Sequence, residues 1–105
     1  MSLEGKNILM IIASNNFRDE EYNHPREIFE EEGAMVTVAS STKKEVTGML
    51  GMKVTPDILI SEVNIDDYDA VIFVGGMGSS EYWDDEKAHE IAKEAYEKDK
   101  VVGAI

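Results

Sequence analysis

Apolar residues occur in short continuous runs along the chain, separated by polar or glycine-rich stretches. The clearest run is Ala70–Val74, which an aspartate precedes and a glycine pair follows. A run of this length with both faces apolar is typical of a strand buried on both sides of a parallel sheet, and we expect it to be a central one. Asn7–Ala13 and Ala34–Ala39 predict two similar strands, and Lys100–Ile105 predicts the beginning of one more buried strand.

A different pattern predicts a helix after the glycine-rich segment. Asp84–Asp99 carries apolar residues at spacings of three and four, which places them on one stripe of a helix. The residues of this stripe are Ala88, Ile91, Ala92, Ala95 and Tyr96.

Another helix is predicted between the first two strands. Gly33 is a suitable stop for it, and Ile28 and Phe29 give it an apolar face. Pro25 is awkward inside a helix because it has no amide hydrogen. The helix therefore begins either near Pro25 or at Asp19–Glu20 with a bend at the proline.

Shorter segments complete the pattern. Glu45–Val54 predicts a small hairpin off the main sheet, Ile58–Val63 a short strand or the approach to a turn, and Ile65–Tyr68 a single helical turn. Strands that alternate with helices indicate an α/β fold with a mainly parallel sheet. The carboxyl ends of parallel strands share one edge, and ligands bind at that edge.

Composition and charge narrow the possible partners. The chain has 105 residues, which suits one small domain, and a formal net charge of −12. So acidic a surface would repel nucleic acid and anionic membranes, and we expect neither as a partner. No secretory signal or run of roughly 20 apolar residues is visible, so we predict a cytoplasmic protein. The absence of cysteine excludes a disulfide or a thiolate metal site within these residues.

The predicted sheet has too few helices to cover it. A sheet of this type is covered by helices on both faces, whereas the pattern provides only two long helices for four or more strands. We therefore expect residues 1–105 to be the amino-terminal part of a single larger domain. A second chain or a continuation would then contribute the remainder of that domain.

The candidate chemistry lies in the loops that follow the predicted strands. Ser14–Glu21 carries carboxylates, and Gly75–Ser80 carries glycines whose amides are free to bind. A carboxylate that faces such amides suits acyl or carbonyl chemistry, in which the amides hold a developing oxyanion. A nucleophile is still required, and Ser79 and Ser80 are better explained as capping or loop residues.

Several short motifs, in order, resemble the PfpI/ThiJ superfamily of intracellular protease-like proteins and the parkinsonism-associated deglycase. They are Phe17-x-Asp19-x-Glu21, Pro25, the pair Gly75–Gly76, and Val101–Ile105. The resemblance implies a flavodoxin-like fold, a three-layer sandwich similar to class I glutamine amidotransferases, which would be incomplete in this chain. It also implies a homodimer or a higher homo-oligomer, and no cofactor.

The resemblance also implies roles for particular residues. Glu21 matches the glutamate whose carboxyl group hydrogen-bonds the sulfur of a nucleophilic cysteine. Gly75 and Gly76 match the pair whose amides form the oxyanion hole, and the cysteine itself would follow directly after Ile105. The implied function is cysteine-dependent action on small carbonyl or acyl substrates, of hydrolase, glyoxalase or deglycase type, or the sensing of oxidative stress.

Three further residues are candidates for lining this site. Arg18 stands where the protease-like branch usually has a second acidic residue, which puts that branch's activity in doubt. Arg18 either binds an anionic group of the substrate or forms a salt bridge with Asp19 or Glu20, and we favour the salt bridge. His24 is expected to line the site or a dimer contact, and Met77 to line the site.

Two alternatives follow from the same residues. The glycine-rich loop could cradle a phosphate, which would make the protein a flavodoxin-like binding module without catalysis, although the loop lacks the lysine of a P-loop. The pairs Glu21-x-x-His24 and Glu86-x-x-His89 have the spacing of metal ligands. A di-metal site of that kind needs a four-helix bundle, so we predict no metal.

Overall fold

Strands and helices alternate along the chain in a computed structural model that describes residues 4–14, 17–74 and 86–104. The main elements are β1 (Asn7–Ile11), α1 (Asp19–Glu31), β2 (Met35–Ser40), β3 (Val46–Thr47), β4 (Lys53–Val54), β5 (Ile58–Leu59), β6 (Ala70–Phe73), α2 (Glu86–Glu97) and β7 (Val101–Ala104). Single turns of 3-10 helix lie at Ile60–Glu62 and Ile65–Asp67.

The main sheet is parallel. In the described part of the chain it has five strands in the order β5-β2-β1-β6-β7, and each neighbouring pair runs parallel. The predicted central strand, β6, has a neighbour on each side, but β1 occupies the middle. Helices lie on both faces, which confirms the predicted α/β class and the flavodoxin-like arrangement.

Alternate residues of the inner strands point to opposite faces, and each face has its own core. On the α2 side, Leu9, Ile11 and Val71 pack with Ile91 in one buried cluster. On the α1 side, a second cluster contains Ile8, Met10, Phe17, Tyr22 and Val38. Burial on both faces explains why these strands are continuous apolar runs in the sequence.

Helix α1 begins at Asp19 and continues through Pro25, so the earlier of the two predicted starts is confirmed. It ends before Gly33, whose φ of +92° is a conformation that favours glycine. Phe29 packs against the core of this side. The prediction that Ile28 lies on the apolar face was wrong, because its side chain is 58% exposed.

Helix α2 buries Ala88, Ile91 and Ala95 against the opposite face, as the stripe predicted. Tyr96 was wrongly included in that stripe and is 79% exposed. Each residue turns a helix by about 100°, so Tyr96 lies beyond the margin of the buried stripe. None of the helices that the structure describes is both long enough and apolar enough to cross a bilayer.

The shorter segments also follow the sequence pattern. Strands β3 and β4 pair antiparallel as a separate hairpin, as predicted for Glu45–Val54. Ile58–Val63 contains both of the predicted alternatives, because the short strand β5 leads directly into a turn. The predicted helical turn before β6 is the 3-10 turn Ile65–Asp67.

The prediction that the last strand is buried was wrong for the described residues. Val101 is 65% exposed and Val102 is 41% exposed. The reason is that β7 lies at the edge of the sheet and pairs only with β6 among the strands described.

Candidate active site at the carboxyl edge of the sheet

The ends of three neighbouring strands lie side by side. Ile11 at the end of β1 is paired with Phe73 in β6, and Phe73 is paired with Ala104 in β7. The amide of Val74 then donates to the carbonyl of Ile11 at 2.9 Å. The three strands therefore end at the same edge of the sheet and at the same level.

Glu21, the predicted catalytic acid, lies in the first turn of α1, the helix that follows β1. Its side chain is half-buried, and Asp19 and Glu20 share the turn with it. The helix begins where the amide of Tyr22 donates to the carbonyl of Arg18 at 3.1 Å. The free amides of a helix start favour negative charge, which suits three consecutive acidic residues at this point.

Aromatic packing fixes the first turn of α1 to the core. Phe17 is fully buried and meets the ring of Tyr22 edge to face, with the ring centroids 5.6 Å apart. Arg26 donates a hydrogen bond to the Tyr22 hydroxyl, and its guanidinium lies 5.8 Å from the centre of that ring. Burial raises the pKa of Tyr22, although the hydrogen bond from Arg26 opposes that rise. The packing of Phe17 and Tyr22 therefore fixes the turn that carries Glu21.

Arg18 forms a salt bridge, which is the outcome that the sequence analysis favoured. Its Nε lies 2.6 Å from Oε1 of Glu20, and both side chains are partly exposed to solvent. The hydrogen bond and the opposite charge raise the pKa of Arg18 and lower the pKa of Glu20. Exposed pairs of this kind contribute little to stability, and a role for Arg18 in the site stays a prediction.

Of the other predicted site residues, His24 alone lies in the part of the chain that the structure describes. His24 is exposed in the second turn of α1. Gly75, Gly76 and Met77 lie outside the described residues, as do Ser79, Ser80 and Ile105. Their predicted roles therefore stay predictions.

Sequence reasoning included Asp19 in a motif but missed its structural role. Asp19 is only 8% exposed and is the one buried charged residue of the described chain. Its carboxylate accepts hydrogen bonds from the amides of Leu50 at 3.0 Å and Met52 at 2.8 Å. Burial raises the pKa of Asp19, but the hydrogen bonds from these amides oppose that rise. The net result is a pKa below the usual value. An acidic residue two positions after an aromatic one was the available signal.

The two pairs that have the spacing of metal ligands are not brought together. Glu21 and His24 lie on α1, and Glu86 and His89 lie on α2, and the two helices pack against different core clusters on opposite faces of the sheet. Within residues 4–14, 17–74 and 86–104, no group of three or more possible ligands could hold a metal ion.

A groove of about 480 Å³ lies between the outer side of α1 and the strand β4. The charged groups that line it already have partners within the protein. Arg26 is bonded to Tyr22 and Glu30, and the carboxylate of Asp57 accepts the amide of Val38. The carboxyl edge of the sheet is therefore the better candidate for a reactive site.

The chain is similar to proteins of known sequence and structure over almost its whole length. It is 49% identical over 105 residues to an uncharacterised protein of Methanocaldococcus jannaschii, covering 99% of this chain and 51% of that protein. It is 35% identical over 97 residues to the deglycase PfpI of Pyrococcus furiosus, covering 92% of this chain and 58% of the deglycase. The crystal structure of a ThiJ/PfpI domain protein from Brachyspira murdochii superimposes with a TM-score of 0.91 at 39% identity, covering 95% of this chain and 59% of that one.

The chain thus spans between about half and three fifths of the length of these relatives. The sequence profile described as the DJ-1/PfpI family matches residues 6–105. With the shared fold and these identities, the match shows that the chain belongs to the DJ-1/PfpI family.

Proposed function

We propose that the chain forms part of a cysteine-dependent site that acts on small carbonyl or acyl substrates. The proposal rests on one observation: three neighbouring parallel strands end side by side, at Ile11, Phe73 and Ala104. The acid-bearing turn follows the first of these ends, the glycine pair follows the second, and the segment expected to bear the nucleophile follows the third. The deglycase name of the relative from Pyrococcus furiosus supports the same reaction class.

In the proposed reaction, the cysteine thiolate attacks the carbonyl carbon and forms a carbon–sulfur bond. The electron pair of the carbonyl π bond moves to the oxygen, which becomes an oxyanion. Amides of Gly75 and Gly76 are proposed to stabilise this oxyanion by hydrogen bonds. Glu21 is proposed to hydrogen-bond the sulfur and thereby favour its thiolate form, which is the reactive one.

The proposal requires the remainder of the domain, from a second chain or a continuation. The face of the sheet on the α1 side is poorly covered where β6 meets β7. Ala70 and Ile72 are only partly buried there, and Val101 is exposed. We propose that the remainder covers this face and places the cysteine at the carboxyl edge.

Assembly and location are part of the same proposal. We propose a homodimer or a higher homo-oligomer, which light scattering on the intact protein would test. A reactive thiolate persists where thiols are kept reduced, so the proposed location is cytoplasmic.

The experiment that tests the function compares Glu21→Gln with Glu20→Gln in the intact protein. Glu20 is a matched control because it is the neighbouring acid and its charge pairs with Arg18 at the surface. Loss of Glu21 is expected to lower thiol-dependent turnover of methylglyoxal by about a hundredfold or more, whereas loss of Glu20 is expected to change it less than about threefold. The pH dependence of iodoacetamide labelling is expected to move to higher pH in Glu21→Gln only.

Two results would contradict the proposal. Equal effects of the two substitutions would show that Glu21 has no special place at the thiol. Absence of a reactive thiol, together with stabilisation by inorganic phosphate, would favour the non-catalytic phosphate-binding module instead.

A further inference from the structure

The turn of the β3–β4 hairpin is attached to the start of α1. This turn, residues 48–52, is called the hairpin tip below. The amide of Met49 donates to the carbonyl of Phe17 at 2.8 Å. The amides of Leu50 and Met52 donate to the two carboxylate oxygens of Asp19 at 3.0 and 2.8 Å. Three amides of the tip therefore point at residues 17–19.

Asp19 fills a cradle of backbone amides. Amides that converge in a turn form a concave site for an anion, and here the anion is a side chain of the same protein. Gly48 closes the cradle so tightly that a Cβ built on it would lie 2.3 Å from Oδ1 of Asp19. The carboxylate and the tip therefore fit each other and leave no room for a side chain at position 48.

The body of the hairpin is fixed independently of Asp19. Val46 is 2% exposed and belongs to the core on the α1 side, and Val54 packs against that core. The tip projects from this fixed body to the first turn of α1, in which Glu21 lies two residues beyond Asp19. Two apolar side chains of the tip remain accessible, since Leu50 is 73% exposed and Met49 is 38% exposed.

We propose that the hairpin tip is a wall of the substrate site, with Leu50 and Met49 in contact with the apolar part of the substrate. Asp19 is then a positioning residue that holds this wall at the first turn of α1, which carries Glu21. This inference rests on the proposed function, because it assigns the wall to the site of Glu21. It adds a substrate preference, namely for carbonyl compounds that carry an apolar group larger than methyl.

The test compares two α-oxoaldehydes, phenylglyoxal and methylglyoxal, with the intact protein. The readout is the ratio of their kcat/KM values, which a general loss of stability does not change. Leu50→Ala removes an exposed side chain and is expected to lower this ratio about tenfold, because the ring loses an apolar contact. Met35→Ala is the matched control, since Met35 is 69% exposed at the start of β2, at the opposite edge of the sheet.

Asp19→Asn tests the positioning role. It keeps the shape of the side chain but replaces an acceptor by a donor, which would face a backbone amide of the tip. The substitution is expected to lower the ratio as much as Leu50→Ala does, and the double variant is expected to show no further loss. Asp69→Asn is the control, because the carboxylate of Asp69 also accepts a backbone amide, that of Asn7 at 2.8 Å, at the amino-terminal end of β6.

The possible outcomes separate this inference from the proposed function. If the protein turns over both aldehydes and the ratio is the same in Leu50→Ala and Met35→Ala, the inference is overturned and the proposed function stands. If no thiol-dependent turnover of either aldehyde occurs, the proposed function fails and this inference fails with it. Should Asp19→Asn not fold, Leu50→Ala still decides the question, because the side chain of Leu50 is 73% exposed and its removal leaves the core intact.

Discussion

Asn7 and Asp69 are joined by two hydrogen bonds at the amino-terminal end of the β1–β6 pair. The amide of Asn7 donates to Oδ2 of Asp69 at 2.8 Å, and the amide of Asp69 donates to the carbonyl of Asn7 at 2.7 Å. Val38 and Asp57 repeat this arrangement between β2 and β5, at 2.8 Å in both directions. Each aspartate directly precedes its strand, so its carboxylate satisfies an amide of the neighbouring strand.

Replacement of either aspartate by alanine is expected to weaken the fold without changing the site. Asp69→Ala leaves the amide of Asn7 to water and is expected to lower the free energy of unfolding by about 1 kcal/mol. Asp57→Ala leaves a partly buried amide and is expected to cost about 1–2 kcal/mol. Urea unfolding measures both values. A change in the rate of thiol labelling in Asp69→Ala would contradict the separation of the amino-terminal end of these strands from the reactive edge.

Phe17 anchors the start of α1, and its loss is expected to be costly. Phe17→Ala removes a fully buried ring and is expected to lower the free energy of unfolding by about 3–5 kcal/mol. Tyr22→Phe keeps the edge-to-face contact and loses only the bond from Arg26, at a cost of about 1 kcal/mol. Denaturant unfolding of the two variants measures the difference. Similar losses in the two variants would show that burial of the Phe17 ring is not the main stabilising contact at the start of α1.

Much of the fold was predictable because its strands are buried on both faces. Such strands read as continuous apolar runs, and this identified β1, β2 and β6 from local sequence alone. The exposure of residues at the border of a helix's buried face, or at the edge of the sheet, was not predictable in the same way. Ile28 and Tyr96 lie beside buried positions of their helices, and only the packing of the neighbouring elements decides which of them is covered. Val101 and Val102 are exposed for a similar reason, because the order of the strands places them at an edge.

The candidate site was predictable only in part. The order of the motifs placed Glu21 between the first strand and the body of the following helix, and only one of the two predicted helix starts put it in the first turn. The role of Asp19 did not, because its hydrogen-bond partners lie 31 and 33 residues further along the chain. Local spacing contains no information about a contact over that distance. The glycine pair at Gly75–Gly76 was predicted from the resemblance and stays a prediction.

Asp19 is expected to make the stability of the protein depend on pH under acidic conditions. Its pKa in the folded state lies below the usual value of 3.8. As the pH falls, the unfolded chain therefore takes up this proton first, and the stabilisation is lost between about pH 4 and the lower folded pKa. It is fully present at neutral pH. Urea midpoints measured from pH 5 to 2 are expected to fall less steeply in Asp19→Asn than in the parent protein, whereas parallel curves would contradict this assignment.

Gly48 and Asp19 are expected to be coupled in stability. Gly48→Ala places a methyl group where the carboxylate lies, at 2.3 Å from Oδ1, and is expected to be strongly destabilising. In the background of Asp19→Ala the same substitution has space and is expected to cost much less. A double-mutant cycle by urea unfolding measures this coupling. Additive costs would show that backbone conformation, and not the carboxylate, requires glycine at this position.

Pro25 lies inside α1 and leaves the carbonyl of Glu21 without the amide donor that a helix normally provides four residues later. Pro25→Ala restores that donor and is expected to raise the free energy of unfolding by about 1–2 kcal/mol, less than the full cost of proline in a helix because proline also restricts the unfolded chain. His24→Ala is the matched control, because His24 is the neighbouring residue and is exposed. The helix propensity of alanine is expected to raise the free energy of unfolding there by only about 0.5 kcal/mol. Urea unfolding measures both gains. If Pro25→Ala gains no more than His24→Ala, the helix is already adapted to its proline and the carbonyl of Glu21 has no deficit to correct.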